Sequence, residues 1–322
     1  MVQIGYTMMT EQAGPRDLVE HVAGAERAGF DFSVTSDHYS PWLGAQGHAP
    51  YAWSVLGAAA QATERIPLMT YETCPTTRYH PAVVAQKAAT MQLLSGGRFR
   101  LGLGSGENLN EHVVGGGWPT AAVRLEKLEE AVRIIRALLA GEELDHGGPH
   151  FEARGARLWD LPDEPPPLGV AVSGEQSCAI AGRLADLVIA TEPKSELLAA
   201  FDRHGGAGKP RVGQLPVCYD TDRDAAVARA HDQFRWFGSG WKVNAELPGT
   251  AGFAGATRFV RPEDVAASVP CGDDVEAFVD AVRPYAEAGF DEIALIQIGG
   301  DQQGPFLDWA EKALLPALRD AL

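Results

Sequence analysis

The sequence predicts an α/β protein whose eight parallel strands close into a (β/α)8, or TIM, barrel. Two observations carry this prediction. Short aliphatic and β-branched segments alternate with longer amphipathic segments along all 322 residues, a pattern typical of βα units around a parallel sheet. These segments also form eight strand–helix pairs, the number that closes such a barrel. A doubly wound open sheet is the alternative that the same alternation allows.

Each predicted strand is a short apolar run bounded by Gly, Pro or Asp. The strands lie near 2–7, 32–37, 66–73, 98–104, 168–173, 186–191, 211–219 and 291–298. The helical segments that follow them are 16–29, 49–64, 81–95, 121–140, 175–184, 194–204, 221–236 and 304–321, and 273–289 is an extra helix before the last strand. The helix over 121–140 has the clearest signal, because one apolar stripe runs from Val123 to Leu138 and Gly141 ends it.

Three segments exceed a minimal barrel: 105–118, 141–167 and 237–272. Insertions in a barrel usually lie in loops, and the loops that follow the strands build the active site. We therefore expect 105–118 and 237–272 to line the mouth of the barrel. Because no linker composition interrupts the chain, we interpret 1–322 as a single domain with insertions near these three segments.

The composition bears on partners and location. The chain has 27 Lys and Arg against 43 Asp and Glu, a formal charge of −16, so on average it repels polyanions. We therefore expect no nucleic-acid partner and no acidic membrane surface. No segment has the roughly 18 apolar residues of a membrane span, and the first residues lack a signal-peptide pattern. The four cysteines have no CxxC spacing, and we interpret them as reduced thiols in a cytoplasmic protein.

Residues that follow the strands of a barrel converge on one face, so they can be considered together. His38 follows the second strand and is the natural proton-transfer candidate, since imidazole titrates near neutral pH. A structural Asp37–His38 pair is the alternative. Glu107 follows the glycine-rich run Gly102–Gly106, whose backbone allows a flat or phosphorylated ligand to approach closely. A tight turn explains the same glycines.

Other strand ends suggest ligand contacts. Trp42 is suited to stack on a flat ring, or else fills the core. Ser173 and Gly174 precede a predicted helix, whose N-terminus could hold a phosphate or simply be capped by Ser173. Lys194 and Lys242 are scarce cations in an acidic chain, and both could equally be solvated at the surface. No metal-binding spacing occurs in the sequence, so we expect no metal site.

Several short motifs together resemble one known family. They are Ser36-Asp37-His38, Pro41-Trp42, Gly47-His48-Ala49-Pro50, Cys74-Pro75-Thr76, Arg78-Tyr79-His80-Pro81-Ala82, Gly102-Leu103-Gly104-Ser105-Gly106-Glu107 and Leu109-Asn110-Glu111. Over nearly the whole chain they resemble the F420-dependent glucose-6-phosphate dehydrogenase group of the luciferase-like F420-dependent oxidoreductases. The resemblance implies a luciferase-like barrel that transfers a hydride from C1 of a sugar 6-phosphate, glucose 6-phosphate first, to C5 of coenzyme F420.

The resemblance also implies roles for individual residues. His38 matches the catalytic histidine and Glu107 the second acid/base group, while Trp42 and Glu11 match residues that position the substrate and the developing charge. In the version we favour, His38 accepts the C1 hydroxyl proton and Glu107 serves the N1 side of the deazaflavin. The residues expected to contact the coenzyme are Asp37, Tyr71, Glu72, Cys74, Asn110, Ser173, Gly174 and Gln176. Those expected to hold the anionic sugar phosphate are Thr191, Lys194 and Lys242.

Two departures from the family pattern keep alternatives open. The family's phosphate site includes an arginine where this chain has the uncharged segment 265–269, and loss of a guanidinium weakens phosphate recognition. This favours, as an alternative, an F420-dependent alcohol dehydrogenase or reductase with a non-phosphorylated substrate. The family also has small or aliphatic residues at a non-proline cis bond where this chain has Tyr71-Glu72, and the resemblance implies a cis bond there.

Two further functions remain open at this stage. An FMN-dependent luciferase-like monooxygenase is the second alternative. A barrel that only binds a ligand is the third, but it has no need for an Asp-His pair and a glycine-framed Glu at one mouth. We also expect a homodimer, since apolar helix faces would be exposed on a single chain.

Overall fold

The structure is a computed structural model and describes residues 2–322. The strands are β1 (Gln3–Met8), β2 (Phe32–Thr35), β3 (Leu68–Thr70), β4 (Phe99–Leu103), β5 (Leu144–Gly147), β6 (Glu152–Ala156), β7 (Leu168–Ala171), β8 (Leu187–Ala190), β9 (Arg211–Tyr219), β10 (Cys271–Gly272) and β11 (Glu292–Gln297). The helices are α1 (Pro15–Ala28), α2 (Ala52–Ala62), α3 (Pro81–Leu94), α4 (Asn108–Glu111), α5 (Ala121–Leu139), α6 (Glu175–Leu184), α7 (Ser195–Phe201), α8 (Arg223–Phe234), α9 (Trp241–Asn244), α10 (Gly249–Ala256), α11 (Pro262–Ala266), α12 (Val275–Ala288), α13 (Gln303–Trp309) and α14 (Leu315–Ala321).

Eight parallel strands close into a barrel in the order β1, β2, β3, β4, β7, β8, β9 and β11. β11 pairs with β1, and the pairing of β8 with β9 completes the ring. All eight predicted strands are present, so the barrel prediction is confirmed and the open sheet is excluded. Packed side chains fill the barrel interior, including Phe32, Met69, Ile189 and Val212, and the Arg100–Glu292 ion pair lies among them near the strands' N-terminal ends.

The helix ends follow the local signals of the sequence. Pro15 is at the first position of α1, where its missing N–H costs nothing. Gly29 ends the same helix with φ at 92°, a left-handed conformation that favours glycine. The Asp222 side chain caps α8 by accepting the backbone N–H of Asp224.

The structure differs from the sequence prediction in three places. The insertion 141–167 contains an antiparallel hairpin of β5 and β6, which a search for apolar runs misses because these strands are largely polar and solvent-exposed. The third barrel strand ends at Thr70 rather than near 73, since the chain turns at Tyr71–Glu72, where the peptide bond is cis as the resemblance implies. The last predicted helix is divided by a π-turn at Ala310–Leu314.

The other two insertions lie at the C-terminal ends of the strands. Segment 105–118 contains the short helix α4, and segment 237–272 contains α9, α10, α11 and the two-residue strand β10, which pairs with β9. Across residues 2–322, none of the helices combines the length and hydropathy that a membrane crossing requires.

Close packing of β3 against β4 generates a stability prediction. A Cβ added at Gly102 would overlap the backbone oxygen of Thr70, which a small rotamer change cannot relieve. We expect Gly102→Ala to lower the free energy of unfolding by more than about 2 kcal/mol, since overpacking a core is costly. Urea denaturation followed by circular dichroism measures this. The matched control is Gly57→Ala in α2, where the added methyl meets open space; a similar loss in both variants would contradict the prediction.

Candidate active site

A cavity of about 900 Å³ opens at the C-terminal mouth of the barrel. Residues that follow several different strands line it, because parallel strands all end at this face. The lining includes Glu11 after β1, His38 after β2, Glu72 after β3, Glu107 after β4 and Thr191 after β8. The structure therefore brings together, at one mouth, residues that are far apart in the sequence.

A line of three charged side chains crosses this cavity. The Nδ1 atom of buried His38 lies 2.8 Å from Oε1 of Glu11, and its Nε2 atom lies 3.9 Å from Oε1 of Glu107. The other oxygen of Glu11 accepts hydrogen bonds from the hydroxyls of Ser36, at 2.5 Å, and Thr10, at 3.2 Å. Glu11 is thus fixed from both sides and orients the imidazole so that Nε2 faces Glu107.

This arrangement controls the charge of His38. Burial alone would lower the pKa of His38, but the Glu11 carboxylate, with a smaller contribution from Glu107, outweighs burial and raises the pKa to about 9. Burial likewise acts to raise the pKa of Glu11, and the contacts with His38 and Ser36 bring it below its ordinary value. At neutral pH the site therefore holds a protonated imidazole beside an ionised Glu11.

Glu107 is positioned by the glycine-rich turn and by Asn110. Gly106 has φ at 86°, and a Cβ there would lie only 2.5 Å from the sulfur of Cys74, so the turn requires glycine. The Asn110 Oδ1 accepts the backbone N–H groups of Tyr39 and Ser40. Its Nδ2 donates to Glu107 at 3.5 Å. Asn110 is itself buried, and it connects the loop that carries His38 with the loop that carries Glu107.

Asp37 and Cys74 lie behind the cavity wall. The Asp37 carboxylate accepts from Trp53 Nε1 at 3.0 Å, from Thr73 Oγ1 at 2.8 Å and from the Tyr79 hydroxyl at 3.2 Å. Cys74 is buried, and burial raises the pKa of its thiol. Both side chains are therefore engaged inside the protein, and neither of them lines the cavity.

A second cavity, of about 370 Å³, adjoins the first. Its wall includes Ser173, Gly174 and Gln176 at the N-terminus of α6. The Ser177 hydroxyl oxygen accepts hydrogen bonds from the backbone N–H groups of Ser173 and Gly174. The other N–H groups of the first helical turn can still donate to a ligand. The residues that line both cavities are Glu72, Thr191, Glu192 and Trp241.

The two predicted phosphate-binding lysines do not line the large cavity. The Lys194 ammonium lies 2.7 Å from the Glu192 carboxylate, and about half of its side chain is exposed. Lys242 is exposed on α9. Among residues 2–322, Arg223 is the one arginine or lysine that lines the large cavity. Seven acidic residues line it: Glu11, Glu72, Glu107, Glu192, Asp273, Asp274 and Asp280.

Sequence reasoning missed the aromatic wall opposite the strand ends. The rings of Trp42 and Trp236 stack with centroids 4.0 Å apart and planes at 10°, and Trp42 also lies 5.0 Å from the His38 ring. Phe234, Phe237 and Trp241 extend this wall. The run Phe234-Arg235-Trp236-Phe237 was the available signal, since so many aromatic residues next to an insertion indicate an apolar site.

Comparison with known proteins decides the family. The luciferase-like monooxygenase family matches residues 1–292. The chain belongs to this family. Within it, the chain belongs with the F420-dependent glucose-6-phosphate dehydrogenases. The protein of that name from Beutenbergia cavernae is 37% identical over 334 residues, which cover 99% of this chain and 98% of the relative. The one from Intrasporangium calvum is 36% identical over 338 residues and 99% of each chain.

Solved structures share the fold of this chain. An F420-dependent secondary alcohol dehydrogenase, in complex with an F420–acetone adduct, superposes with a TM-score of 0.89 at 27% identity, over 99% of each chain. The coenzyme F420-dependent tetrahydromethanopterin reductase from Methanopyrus kandleri has a TM-score of 0.76 at 20% identity, over 98% of this chain and 99% of the other. The latter shows the shared fold.

The Glu11–His38 contact generates a pH prediction. We expect Glu11→Gln to lower the pKa of His38 well below about 9, because burial is then opposed by the more distant Glu107 carboxylate alone. The pKa of His38 is raised above 6.5 and that of Glu11 is lowered below 4.5, so the pair stabilises the fold fully between about pH 4.5 and 6.5. Its effect is lost as pH rises through about 9, and also as pH falls through the lowered pKa of Glu11. NMR titration of histidine-labelled protein measures the pKa. Glu107→Gln is the control and should cause a smaller decrease, since Glu107 is more distant.

Proposed function

We propose that this protein is an F420-dependent dehydrogenase that takes a hydride from C1 of a sugar 6-phosphate, with glucose 6-phosphate as the first candidate substrate. The observation that carries the proposal is the line Glu11–His38–Glu107 at the cavity mouth. It supplies one positioned proton donor and one carboxylate around a single point. Relatives that share about a third of the sequence over the full chain have the corresponding name.

The described residues fit coenzyme F420. The small cavity at the N-terminus of α6 suits the anionic tail, since helix N-termini bind phosphate and carboxylate groups. The large cavity meets it at Glu72 and leads to His38 and Glu107, which places acid/base groups at the reacting end. Ser173, Gly174 and Gln176 would hold the tail, and Tyr71 and Glu72 would contact the ring. When bound, F420 supplies a deazaflavin that accepts a hydride at C5.

The charge of His38 supports one order of proton transfer. A protonated imidazole cannot accept a proton, and the raised pKa of His38 keeps it protonated at neutral pH. Glu107 therefore accepts the proton of the C1 hydroxyl, while His38 donates a hydrogen bond from Nε2 toward the reacting oxygen. In the order favoured from the resemblance alone, His38 instead accepts that proton and Glu107 serves the N1 side of the deazaflavin. Glu11 holds the proton on His38, and the Trp42–Trp236 stack excludes water from this end of the cavity.

Asp37, Cys74 and Asn110 support the site rather than contact the ligand in this proposal. Asn110 accepts the backbone N–H of Tyr39, next to His38. Asp37 accepts the Thr73 hydroxyl, and the Cys74 sulfur bonds with the Thr76 hydroxyl, both in the segment after β3. The homodimer and the single-domain organisation expected from the sequence stay predictions. Light scattering and limited proteolysis of the purified protein would check them.

The first experiment is a spectroscopic assay. Oxidised F420 and glucose 6-phosphate are mixed with the purified protein, and the visible absorbance of the coenzyme is followed beside matched reactions with free glucose, isopropanol and FMN. We expect F420 to bleach with the phosphosugar and FMN to be inactive. Bleaching with isopropanol and not with glucose 6-phosphate would instead identify a non-phosphorylated alcohol as the substrate. Failure of F420 to bind would overturn the proposal, and turnover with reduced FMN and oxygen would indicate a monooxygenase.

The acid/base assignment predicts the effect of removing the imidazole. We expect His38→Ala to lower kcat by at least about 100-fold, since a positioned acid or base contributes this much or more. F420 affinity should change less than about twofold, because the ring-binding wall is retained. Stopped-flow turnover and fluorescence titration measure the two effects. His146→Ala on β5, outside both cavities, is the control; equal turnover in both variants would remove His38 from the mechanism.

A specific observation favours a second candidate, an F420-dependent alcohol dehydrogenase with a non-phosphorylated substrate. The lining of the large cavity is aromatic and acidic, with Arg223 as its arginine or lysine residue, and the Lys194 ammonium is paired with Glu192. A phosphate dianion is repelled by such a wall. The alcohol dehydrogenase structure that superposes at a TM-score of 0.89 supports the same substrate chemistry.

The lysines discriminate between the two substrates. If the substrate is a sugar phosphate, Lys194→Ala and Lys242→Ala should each raise its KM by about tenfold, the loss expected for a charge-assisted contact. Steady-state kinetics with glucose 6-phosphate measures this. Arg319→Ala is the control, because Arg319 lies in α14, bonds to the backbone oxygen of Gly29 and lines neither cavity. Unchanged KM values in both lysine variants would favour the neutral alcohol.

A further inference from the structure

Glu72 stands at the junction of the two cavities and contributes to the lining of both. It follows β3 after Tyr71, and its carboxyl group packs against Gly104, the residue that follows β4. A Cβ at Gly104 would lie only 2.5 Å from Oε2 of Glu72. The glycine thus creates the space that the carboxyl group occupies. Any ligand that extends from the helix N-terminus at α6 to His38 must pass this side chain.

The carboxyl group of Glu72 lies in an acidic environment. Glu107 faces it from the loop after β4, and His38 contributes a weaker opposing effect from the loop after β2. The neighbouring walls also carry Glu192 and Arg124. Among residues 2–322, Glu72 has no side-chain or backbone hydrogen-bond partner that would stabilise a negative charge. Burial, reinforced by Glu107, raises the pKa of Glu72 to about 8.

We propose that Glu72 binds the coenzyme ring as a neutral carboxylic acid, donating a hydrogen bond to it, and that ionisation of Glu72 weakens coenzyme binding. This inference rests on the proposed function, because it takes F420 as the ligand. A neutral acid has one O–H donor and no charge to desolvate, so a flat ligand can cover it at little cost. A carboxylate at the same point faces Glu107 and loses its access to water under the ligand.

Glu72 supplies one hydrogen-bond donor at the junction of the two cavities, and its carboxyl group has a pKa of about 8. Coenzyme affinity becomes dependent on pH through one identifiable group, while Glu11, His38 and Glu107 keep their roles at the reacting end of the cavity.

The test compares the wild type with two variants of similar length. The Glu72→Gln side chain retains a hydrogen-bond donor but cannot ionise. The Glu72→Met side chain can neither donate a hydrogen bond nor ionise. The dissociation constant for oxidised F420 is measured by fluorescence titration at pH 6.5 and pH 9.5. We expect the wild-type affinity to fall by up to about 30-fold between these pH values, following a group of pKa about 8. The affinity of Glu72→Gln for F420 should be nearly the same at pH 9.5 as at pH 6.5. Glu72→Met should bind F420 about five- to tenfold more weakly at pH 6.5 than the wild type.

Glu192→Gln is the matched control, because Glu192 lines the same junction but is paired with Lys194. Its affinity should decline with pH as in the wild type, and comparing all variants at each pH cancels titration of the coenzyme itself. Infrared difference spectra on F420 binding at pH 6.5 should show a protonated carboxyl band that Glu72→Gln lacks. The apo variants should unfold at temperatures at or above the wild type at pH 9.5, since each removes a buried charge.

Three outcomes would contradict the inference. A parallel decline of the wild type and Glu72→Gln would assign the pH dependence to another group. If Glu72→Met bound F420 at pH 6.5 as tightly as the wild type, the proposed hydrogen bond from Glu72 would be contradicted. Absence of F420 binding by the wild type at both pH values would overturn the proposed function together with the role of Glu72, which separates that failure from the other two.

Discussion

The buried ion pair between Glu11 and His38 is the contact on which the rest of the site depends. Two charges removed from water are costly unless geometry and hydrogen bonds compensate them. Here the compensation comes from the hydroxyls of Ser36 and Thr10, which bind the far oxygen of Glu11. The pair fixes the orientation of the imidazole and keeps it protonated. Both properties are required of a group that is to donate a hydrogen bond at a defined point.

A second polar network holds the same loop from behind. Asp37 precedes His38 and faces away from the cavity, where Trp53, Thr73 and Tyr79 donate to it. Neighbouring residues of an extended segment point in opposite directions, so one side chain can serve the chemistry while the next anchors the backbone. The position of His38 is therefore fixed both by its contact with Glu11 and by the bonds that hold Asp37 behind the loop.

The barrel was predictable because its strands are mostly buried and apolar. The rule that strand ends converge found His38 and Glu107 without a structure, whereas Glu72 was predicted only through the resemblance. The β5–β6 hairpin was not predictable in this way, since its strands are polar. The sequence also could not show that Lys194 is paired with Glu192, because a salt bridge depends on side-chain geometry beyond the end of β8. Asp37 was expected to contact the coenzyme, but the direction of its side chain depends on hydrogen-bond partners from α2 and from the segment after β3.

The acidity of the large cavity affects both which substrate it accepts and the chemistry of the site. Seven acidic side chains line a cavity in which a related phosphate site would have an added arginine, and the corresponding segment contributes Ala266 and Ala267 to the wall. The site reduces its own repulsion by keeping His38 protonated and by keeping Glu72 neutral up to about pH 8. The protonated His38 adds a positive charge and the neutral Glu72 removes a negative one, and neither adds a cation at the far end of the cavity. A substrate with a neutral far end gains from this arrangement, whereas a phosphosugar needs Lys194 to leave Glu192.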